Sequence, residues 1–549
     1  MTEHSTAGIA DNSAERVPAA ASSSDTSGLV SSSVDGLAGD QTFYSILFDV
    51  QNPPVDAAVM PACFRDLNLD QVVDAVTAGH GEYDLAPLYY SSLVSAEAVS
   101  YRQEVGRDID GNPLRSVLEA FGGRLRDMRR HLQQAAELRH RYQRGRWFAD
   151  AAQLYCTAVT ELSAQLAVAE LTSAGFQAFR RYVAGYVASG NFLALATATA
   201  SVKQVLAQVR YCLNIRGSRV TVTRYDGEAD YSDEVQATFA RFRHGEVKNY
   251  LVKFYVYAQM NHVEFSVLEL VAKLYPDTFT EMDRFSERWG DFQDPALVRF
   301  DREVQFYLAY LTYLDRVRRF RLPLCYPTVT AHGGPVFAHD TFDLALADKL
   351  AGEKTAVVVN DIDLSNSERI LVVSGPNQGG KTTLARTFGQ IHFLASLGLP
   401  VPGSTATLPL FDTIFTHFER EETLEALRGK LQDDLIRIHD ILAGATGHSI
   451  IIMNELFTST TLQDAVFLGT KIVEQVIDLN ALCVYVTFVD ELTLLGPTVV
   501  SMVSTVAPGH PENRTYRICR RRADGQAHAV TIAEKYRLTY PMLKTRLKS

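Results

Sequence analysis

The stretch "RILVVSGPNQGGKTTLARTFGQIHFLASLG" (369–398) decides the fold. Ile370 to Val373 form a short apolar run that reads as a buried strand. A glycine-rich turn follows, and then apolar residues recur at helical spacing. Gly375, Gly380, Lys381 and Thr382 stand at Gly-x4-Gly-Lys-Thr spacing across that turn. Glycines let backbone N–H groups curl around phosphate oxygens, and a helix N-terminus adds its positive end. At such a site Lys381 reaches the β- and γ-phosphates, and the Thr382 hydroxyl ligates Mg²⁺. An ordinary glycine-rich turn does not explain Lys-Thr at the helix start. The expected cofactors are therefore ATP and Mg²⁺. The expected nucleotide-binding residues are Gly375, Pro376, Asn377, Gln378, Gly379, Gly380, Lys381, Thr382 and Thr383.

Outward from the loop, further apolar runs alternate with helical patterns. "TAVVVNDIDL" (355–364), "SIIIMNE" (449–455) and "LCVYVTF" (482–488) read as buried strands. Such alternation predicts an α/β domain with a largely parallel sheet over 331–549. Pro323 and Pro327 mark its start. Before them the chain reads as an all-α core and lever region over 101–330. "FDREVQFYLAYLTYLDRVRRF" (300–320) puts Val304, Leu308, Leu311 and Leu314 on one stripe. "GEVKNYLVKFYVYAQMNHVEFSVLELVAKLY" (245–275) reads as another long helix. "RYCLNIRGSRVTVTRYDG" (210–227) reads as a small β-hairpin turning at Gly217-Ser218. Residues 41–100 read as an ordered N-terminal segment. Residues 1–40, rich in Ser, Ala, Gly and Asp, read as a disordered tail.

The 549 residues are 46% hydrophobic and carry a net charge of −11, so the chain is no polybasic nucleic-acid binder and any DNA contact needs a local patch. The six cysteines are scattered, with no Cys-x-x-Cys pair, which argues against a structural zinc or disulfide framework. With no signal pattern and no apolar stretch long enough to span a bilayer, a cytoplasmic protein with no membrane partner is expected.

Gly375-Pro376-Asn377-Gln378-Gly379-Gly380-Lys381-Thr382-Thr383 resembles the loop of the MutS family of DNA mismatch-repair ATPases. "VVVNDIDL" (357–364), "LASLGLPVPGSTATLPLFDTIFTHF" (394–418), "NELFTSTTLQDA" (454–465) and "IAEKYRLTYPMLKTRL" (532–547) are similar to further segments of that family. Thr460 and Asp464 align with its Thr and final Asp. The resemblance covers about residues 350–549. It implies an ABC-type P-loop ATPase that forms a homodimer with composite ATP sites and closes a clamp on DNA in repair or recombination. It also implies Glu455 as catalytic base, and Asn454 beside Thr382 at the metal.

Asn454 is itself a departure, since the family has Asp there. The amide keeps an acceptor for Thr382 or a metal-bound water but loses a charge. Phe488 stands where the family has a γ-phosphate-sensing His. Gly429-Lys430-Leu431 stands where the family's trans-acting segment has Ser-Thr-Phe; Lys430 reads either as a cation for the partner's γ-phosphate or as a solvated helix residue. These departures set slow Mg-dependent hydrolysis against a non-hydrolysing, nucleotide-gated clamp or scaffold with a protein partner. No mismatch-reading domain is expected; Phe285-Ser286-Glu287 matches the Phe-x-Glu wedge only in letters. The basic candidates for DNA are "RLRDMRRHLQQAAELRHRYQRGRW" (124–147), read as helical, and the hairpin pair Arg216 and Arg219. Arg520-Arg521-Arg522 reads as a hairpin surface.

Overall fold

The computed structural model describes residues 43–49, 59–111, 113–228, 260–353, 355–365, 367–419, 429–507, 510–523 and 538–547. The expected tail, 1–40, lies outside the described residues.

The first half is helical: α1 (Cys63–Leu67), α2 (Leu69–Thr77), α3 (Ala86–Tyr90), α4 (Ala96–Ile109), α5 (Leu114–Glu137), α6 (Arg141–Val168), α7 (Ala174–Ala188) and α8 (Gly190–Ala207). The hairpin follows as β1 (Tyr211–Arg216) and β2 (Arg219–Arg224), antiparallel, with Gly217 at φ 60° in the turn. Then come α9 (His262–Leu274), α10 (Pro276–Arg288) and α11 (Pro295–Arg318). Side-chain caps fix several starts: Ser95, Ser173, Ser189 and Asp294 each accept a first-turn N–H. Each such cap is worth about 1 kcal/mol.

Two helical expectations change. Residues 124–147 are not one helix, because α5 ends before Leu138 and α6 begins after His140, whose ring accepts from Tyr142 N. Residues 245–275 do not run as one helix up to Leu274. Asn261 and Glu264 form a reciprocal capping box that starts α9 at His262, and 245–259 lie outside the described residues.

The stripe on α11 is buried as expected, but Phe300, Tyr307 and Tyr310 are buried too. This helix is enclosed on most sides, and its acids are held by partners. Asp301 pairs with Arg129 at 2.7 Å. Glu303 accepts from Ser45 Oγ at 2.7 Å and from Ile46 N at 2.9 Å, pinning residues 43–48 to α11. Burial pushes the Glu303 carboxyl up to about 7.

Among the described residues, the second half holds two multistranded sheets and a two-stranded pair. The larger has the order β10-β11-β12-β7-β13-β14, with β7 (Ile370–Ser374), β10 (Ile414–His417), β11 (Ile450–Asn454), β12 (Leu482–Val486), β13 (Val499–Ala507) and β14 (His510–Arg520). All are parallel except the edge strand β14. Their period of two divides the core. Leu371, Val373, Ile452 and Val484 join one apolar cluster. Ile370, Val372, Ile451 and Cys483 join another on the opposite face. Runs apolar on both faces mark a sheet covered on both sides.

The smaller sheet has the order β4-β9-β5-β6 and is mixed, so the α/β half is less purely parallel than expected. It contains β4 (Thr328–Thr330), β5 (Val336–Thr341), β6 (Asn360–Leu364) and β9 (Thr405–Pro409), and the run at 355–364 supplies β6 only from Asn360 onward. The short pair β3 (Leu324–Cys325) and β8 (Val401–Pro402) lies beside it. The other α-helices among the described residues are α12 (Leu344–Glu353), α13 (Lys381–Ser396), α14 (Lys430–Gly444), α15 (Leu462–Leu479) and α16 (Tyr540–Leu547).

Packing is continuous across Pro323 and Pro327. The Tyr310 hydroxyl of α11 donates to Pro400 O at 2.9 Å. The fully buried Arg102 of α4 donates to Leu47 O and Leu397 O, tying the N-terminal segment to the end of α13. Leu67 of α1 lies against Gly389 of α13, where a Cβ would stand 2.6 Å from its methyl. The helical half is therefore anchored on the helix that begins at the glycine loop. No single described helix is long and apolar enough to cross a membrane; α7 and α8 reach that measure only as a pair bent by 57°. No disulfide joins any of the six cysteines.

Candidate nucleotide-binding site

Strand β7 delivers the chain at Ser374 into the loop 375–380, and α13 starts at Lys381 with Gly380 as its N-cap at φ 91°. Gly379 is required by close approach: a Cβ there would lie 2.2 Å from Ser504 Oγ. Pro376 and Gly379 are buried, while Asn377 and Gln378 face solvent at the tip. Gln378 adopts φ 59°, left-handed for a residue with a side chain.

The Lys381 side chain folds back over the loop. Its ammonium donates to Gly375 O at 3.0 Å, Pro376 O at 3.3 Å and Asn377 Oδ1 at 3.3 Å. The Glu455 carboxylate is 3.9 Å away. Burial lowers the Lys381 pKa, Glu455 opposes that shift, and Arg514 adds to it.

Thr382 opens the first turn of α13, and its hydroxyl donates to Asn454 Oδ1 at 2.9 Å. Asn454 is the last residue of β11, next to β7's other neighbour β12 in the parallel sheet, and is 8% exposed. The amide thus makes the contact expected of it. Glu455 turns sharply out of the strand at φ 56°, with its N–H on Val486 O at 2.9 Å. The following Thr460 and Thr461 hydroxyls both donate to Asp464, and Thr461 caps α15. The structure therefore brings Lys381, Thr382, Asn454 and Glu455 to one loop. Thr383 lies one residue further along α13, half-buried, and its carbonyl accepts from Thr387 Oγ1.

Phe488 is near the same point. Its ring, 47% exposed, has its centroid 5.3 Å from the Lys381 ammonium, within cation–π range. Where an imidazole would offer an N–H to phosphate, this ring offers only a π face to the lysine. Lys430 starts α14 after Gly429 and forms an ion pair with Glu419 of the same chain. The rest of that expected segment, 426–428, lies outside the described residues.

The described residues hold no group of three His, Cys, Asp or Glu side chains able to bind a metal ion. The oxygens at hand are the Thr382 hydroxyl, the Asn454 amide and the Glu455 carboxylate. Mg²⁺ is ordinarily held by one or two carboxylates plus substrate phosphates. This set fits Mg²⁺ arriving with a nucleotide better than Mg²⁺ alone.

Beside the loop lies a cavity of about 300 Å³ lined by Val357, Asn360, Gly380, Thr383, Thr387 and Tyr516. Its position against Gly380 and Thr383 suits the base end of a nucleotide whose phosphates lie in the loop. Sequence reasoning missed Asn360 and Tyr516. Asn360 ties β6 to β14, donating to Tyr516 O and accepting from Ile518 N. An Asn that breaks the apolar run in "VVVNDIDL" was its one sequence signal.

The basic candidates separate. Arg124, Arg126, Arg129 and Arg146 all form ion pairs with acids of this chain. Those four of the eight arginines in 124–147 are therefore engaged within the chain itself. Arg216 and Arg219 face each other across the hairpin tip, exposed, and enter no ion pair among the described residues. Arg520 pairs with Glu368. Phe285 is buried in α10, which removes the wedge resemblance.

The sequence profile of MutS domain V matches residues 371–536, the segment that contains the loop, β11 and β13. That segment of the chain is similar to MutS domain V. The chain is 31% identical over 186 residues to "DNA mismatch repair protein MutS" of Shouchella clausii, covering 33% of this chain and 21% of that protein. It is 31% identical over 192 residues to "Endonuclease MutS2" of Gemmatimonas aurantiaca, covering 33% and 23%. The MutS of Thermotoga maritima is 32% identical over 163 residues, covering 29% and 21%. The MutS-like match thus spans about a fifth of the length of these relatives. The domain V match, 371–536, falls within the α/β half.

Proposed function

We propose that the chain is a nucleotide-gated clamp built on an ABC-type P-loop ATPase domain (331–549), with residues 101–330 as its core and lever. The observation that carries this reading is the convergence on one glycine loop of Lys381, of Thr382 bonded to Asn454, and of Glu455. The loop amides and Lys381 bind the phosphates, and the cavity at Tyr516 takes the base. Mg²⁺, when bound with the nucleotide, neutralises charge on the phosphate oxygens. Thr382 and Asn454 hold that side of the site, and Glu455 orients the attacking water and accepts its proton.

Two copies closing on shared nucleotides would move the helices anchored on α13 through Leu67 and Arg102. Arg216 and Arg219 would then meet DNA phosphates in repair or recombination. The cytoplasm suits this role.

Phe488 and Asn454 favour a second reading, a clamp or scaffold that binds nucleotide without turning it over and grips a protein. Single-turnover ATPase assays separate the two, and the salt dependence of DNA binding identifies the partner class. Nucleotide binding itself is tested by Lys381→Ala. ATP affinity measured by calorimetry should fall below detection, and unchanged affinity would overturn the reading.

A further inference from the structure

The glycine loop is held from behind by the antiparallel ribbon β13–β14. Ser504 of β13, 1% exposed, donates from Oγ to Gly379 O at 2.7 Å. Arg514 of β14, half-buried, donates from Nε to Asn377 O at 3.1 Å. The ribbon is irregular at that point. Ser504 faces Ile518 while Val506 faces Arg514, so β14 carries two more residues than β13 across the interval. Tyr516 takes up the excess at φ 56°. Thr505 and Thr515 fix the irregularity, with hydroxyls 2.6 Å apart and Thr515 Oγ1 donating to Thr505 O at 2.9 Å. Bulges of this kind re-aim side chains, and here the re-aimed residues are Arg514 and Tyr516, both at the loop.

In a planar trans peptide the N–H points opposite to the preceding C=O. Holding Asn377 O and Gly379 O toward the ribbon turns the N–H groups of Gln378 and Gly380 away from it. Gln378 at φ 59° and Gly380 at φ 91° are the left-handed residues of that stretch. Alternating handedness of this sort makes a concave array of donors for an anion.

We propose that Arg514 is a positioning residue for nucleotide phosphate, acting through the Asn377–Gln378 peptide with Ser504 as its counterpart on the Gly379–Gly380 peptide. This rests on the nucleotide-binding reading above. Arg514 also places a second positive charge near Lys381, which favours an anion between them. No such role follows from the glycine-loop spacing, because the ribbon lies more than a hundred residues downstream.

The experiment compares full-length wild type, Arg514→Met, Arg514→Lys and Lys381→Ala by calorimetric titration with Mg·ATP and Mg·ADP, alongside melting temperatures. Arg514→Met should weaken both nucleotides roughly tenfold, the effect of losing one charged hydrogen bond. It should leave the melting temperature of the free protein unchanged. Arg514→Lys retains a charged donor and should restore both affinities to within roughly threefold of wild type. Wild-type affinity in Arg514→Met overturns the inference. So does a loss confined to ATP, which would mean direct contact with the γ-phosphate. If Arg514→Met does not fold, Arg514→Lys decides: a loss as large as that of Lys381→Ala overturns the inference, and near wild-type binding sustains it. If Lys381→Ala loses ATP while Arg514→Met keeps it, only this inference fails. If wild type binds no nucleotide, the underlying reading fails first.

Discussion

Asn454→Asp should lower the Mg²⁺ concentration needed for nucleotide binding. Asn454 Oδ1 already accepts from Thr382 Oγ1 at 2.9 Å, so a carboxylate fits the same space and keeps that bond. A cation held on the threonine hydroxyl would lie about 2 Å from Oγ1, and so roughly 4 Å from the new carboxylate. A unit charge pair at ~4 Å and effective dielectric ~20 is worth about 4 kcal/mol. Contact relayed by water keeps only part of that, so the expected shift is at least about 1.4 kcal/mol, or roughly tenfold in the Mg²⁺ midpoint. The same charge is a burden when no metal is present, because the site is 8% exposed. In chelator the variant should lose roughly 1–3 kcal/mol of stability, and Mg·ATP should return it. The assay is binding of a fluorescent ATP analogue at stepped Mg²⁺ concentrations, paired with chemical denaturation in chelator. An unchanged Mg²⁺ midpoint would show that residue 454 is beyond the metal's reach.

Glu455→Gln should bind ATP as wild type does and hydrolyse it no faster than background, because shape is kept and the proton acceptor is lost. Turnover at the wild-type rate would refute Glu455 as base. Glu303→Gln should remove a pH dependence of stability. Burial raises the Glu303 carboxyl to about 7 from an ordinary 4.5. The native state therefore keeps a proton that the unfolded chain has released between those values, and stability falls as pH rises through that window. The full loss above pH 7 is about 3 kcal/mol by linkage. Denaturation midpoints at pH 5 and pH 8 should converge in the variant, and an unchanged difference would assign the dependence to another group.

The local parts of the site were legible in the sequence because each follows from its own spacing. The strand, loop and helix over 369–398 appear where the pattern places them, and so does the strand end at Asn454. What escaped depends on contacts between distant segments. Ser504, Arg514 and Tyr516 reach the loop through an irregular antiparallel ribbon, and neither helical nor strand periodicity encodes which side chains a bulge turns inward. Asp301 and Glu303 of α11 lie outside the expected apolar stripe and are enclosed by Arg129 and residues 45–46, contacts that helical periodicity does not encode. Leu138 to His140 carry no Gly or Pro, so the break between α5 and α6 had no strong local signal.

Asn454 shows why a pattern match and a chemical function can part company at one residue. The fold needs an acceptor at the end of β11 to receive the Thr382 hydroxyl, and an amide oxygen supplies one as well as a carboxylate does. Metal affinity needs charge, which the amide lacks. Phe488 divides in the same way, since an aromatic ring fills the space beside Lys381 but has no N–H for phosphate. On the proposed reading, both departures preserve the architecture that would hold a nucleotide while weakening groups that would act on it. Selection for closure alone would tolerate that combination, whereas selection for rapid turnover would not. The Mg²⁺ dependence of Asn454→Asp and the turnover of Glu455→Gln therefore probe the same question from two sides, the metal and the water.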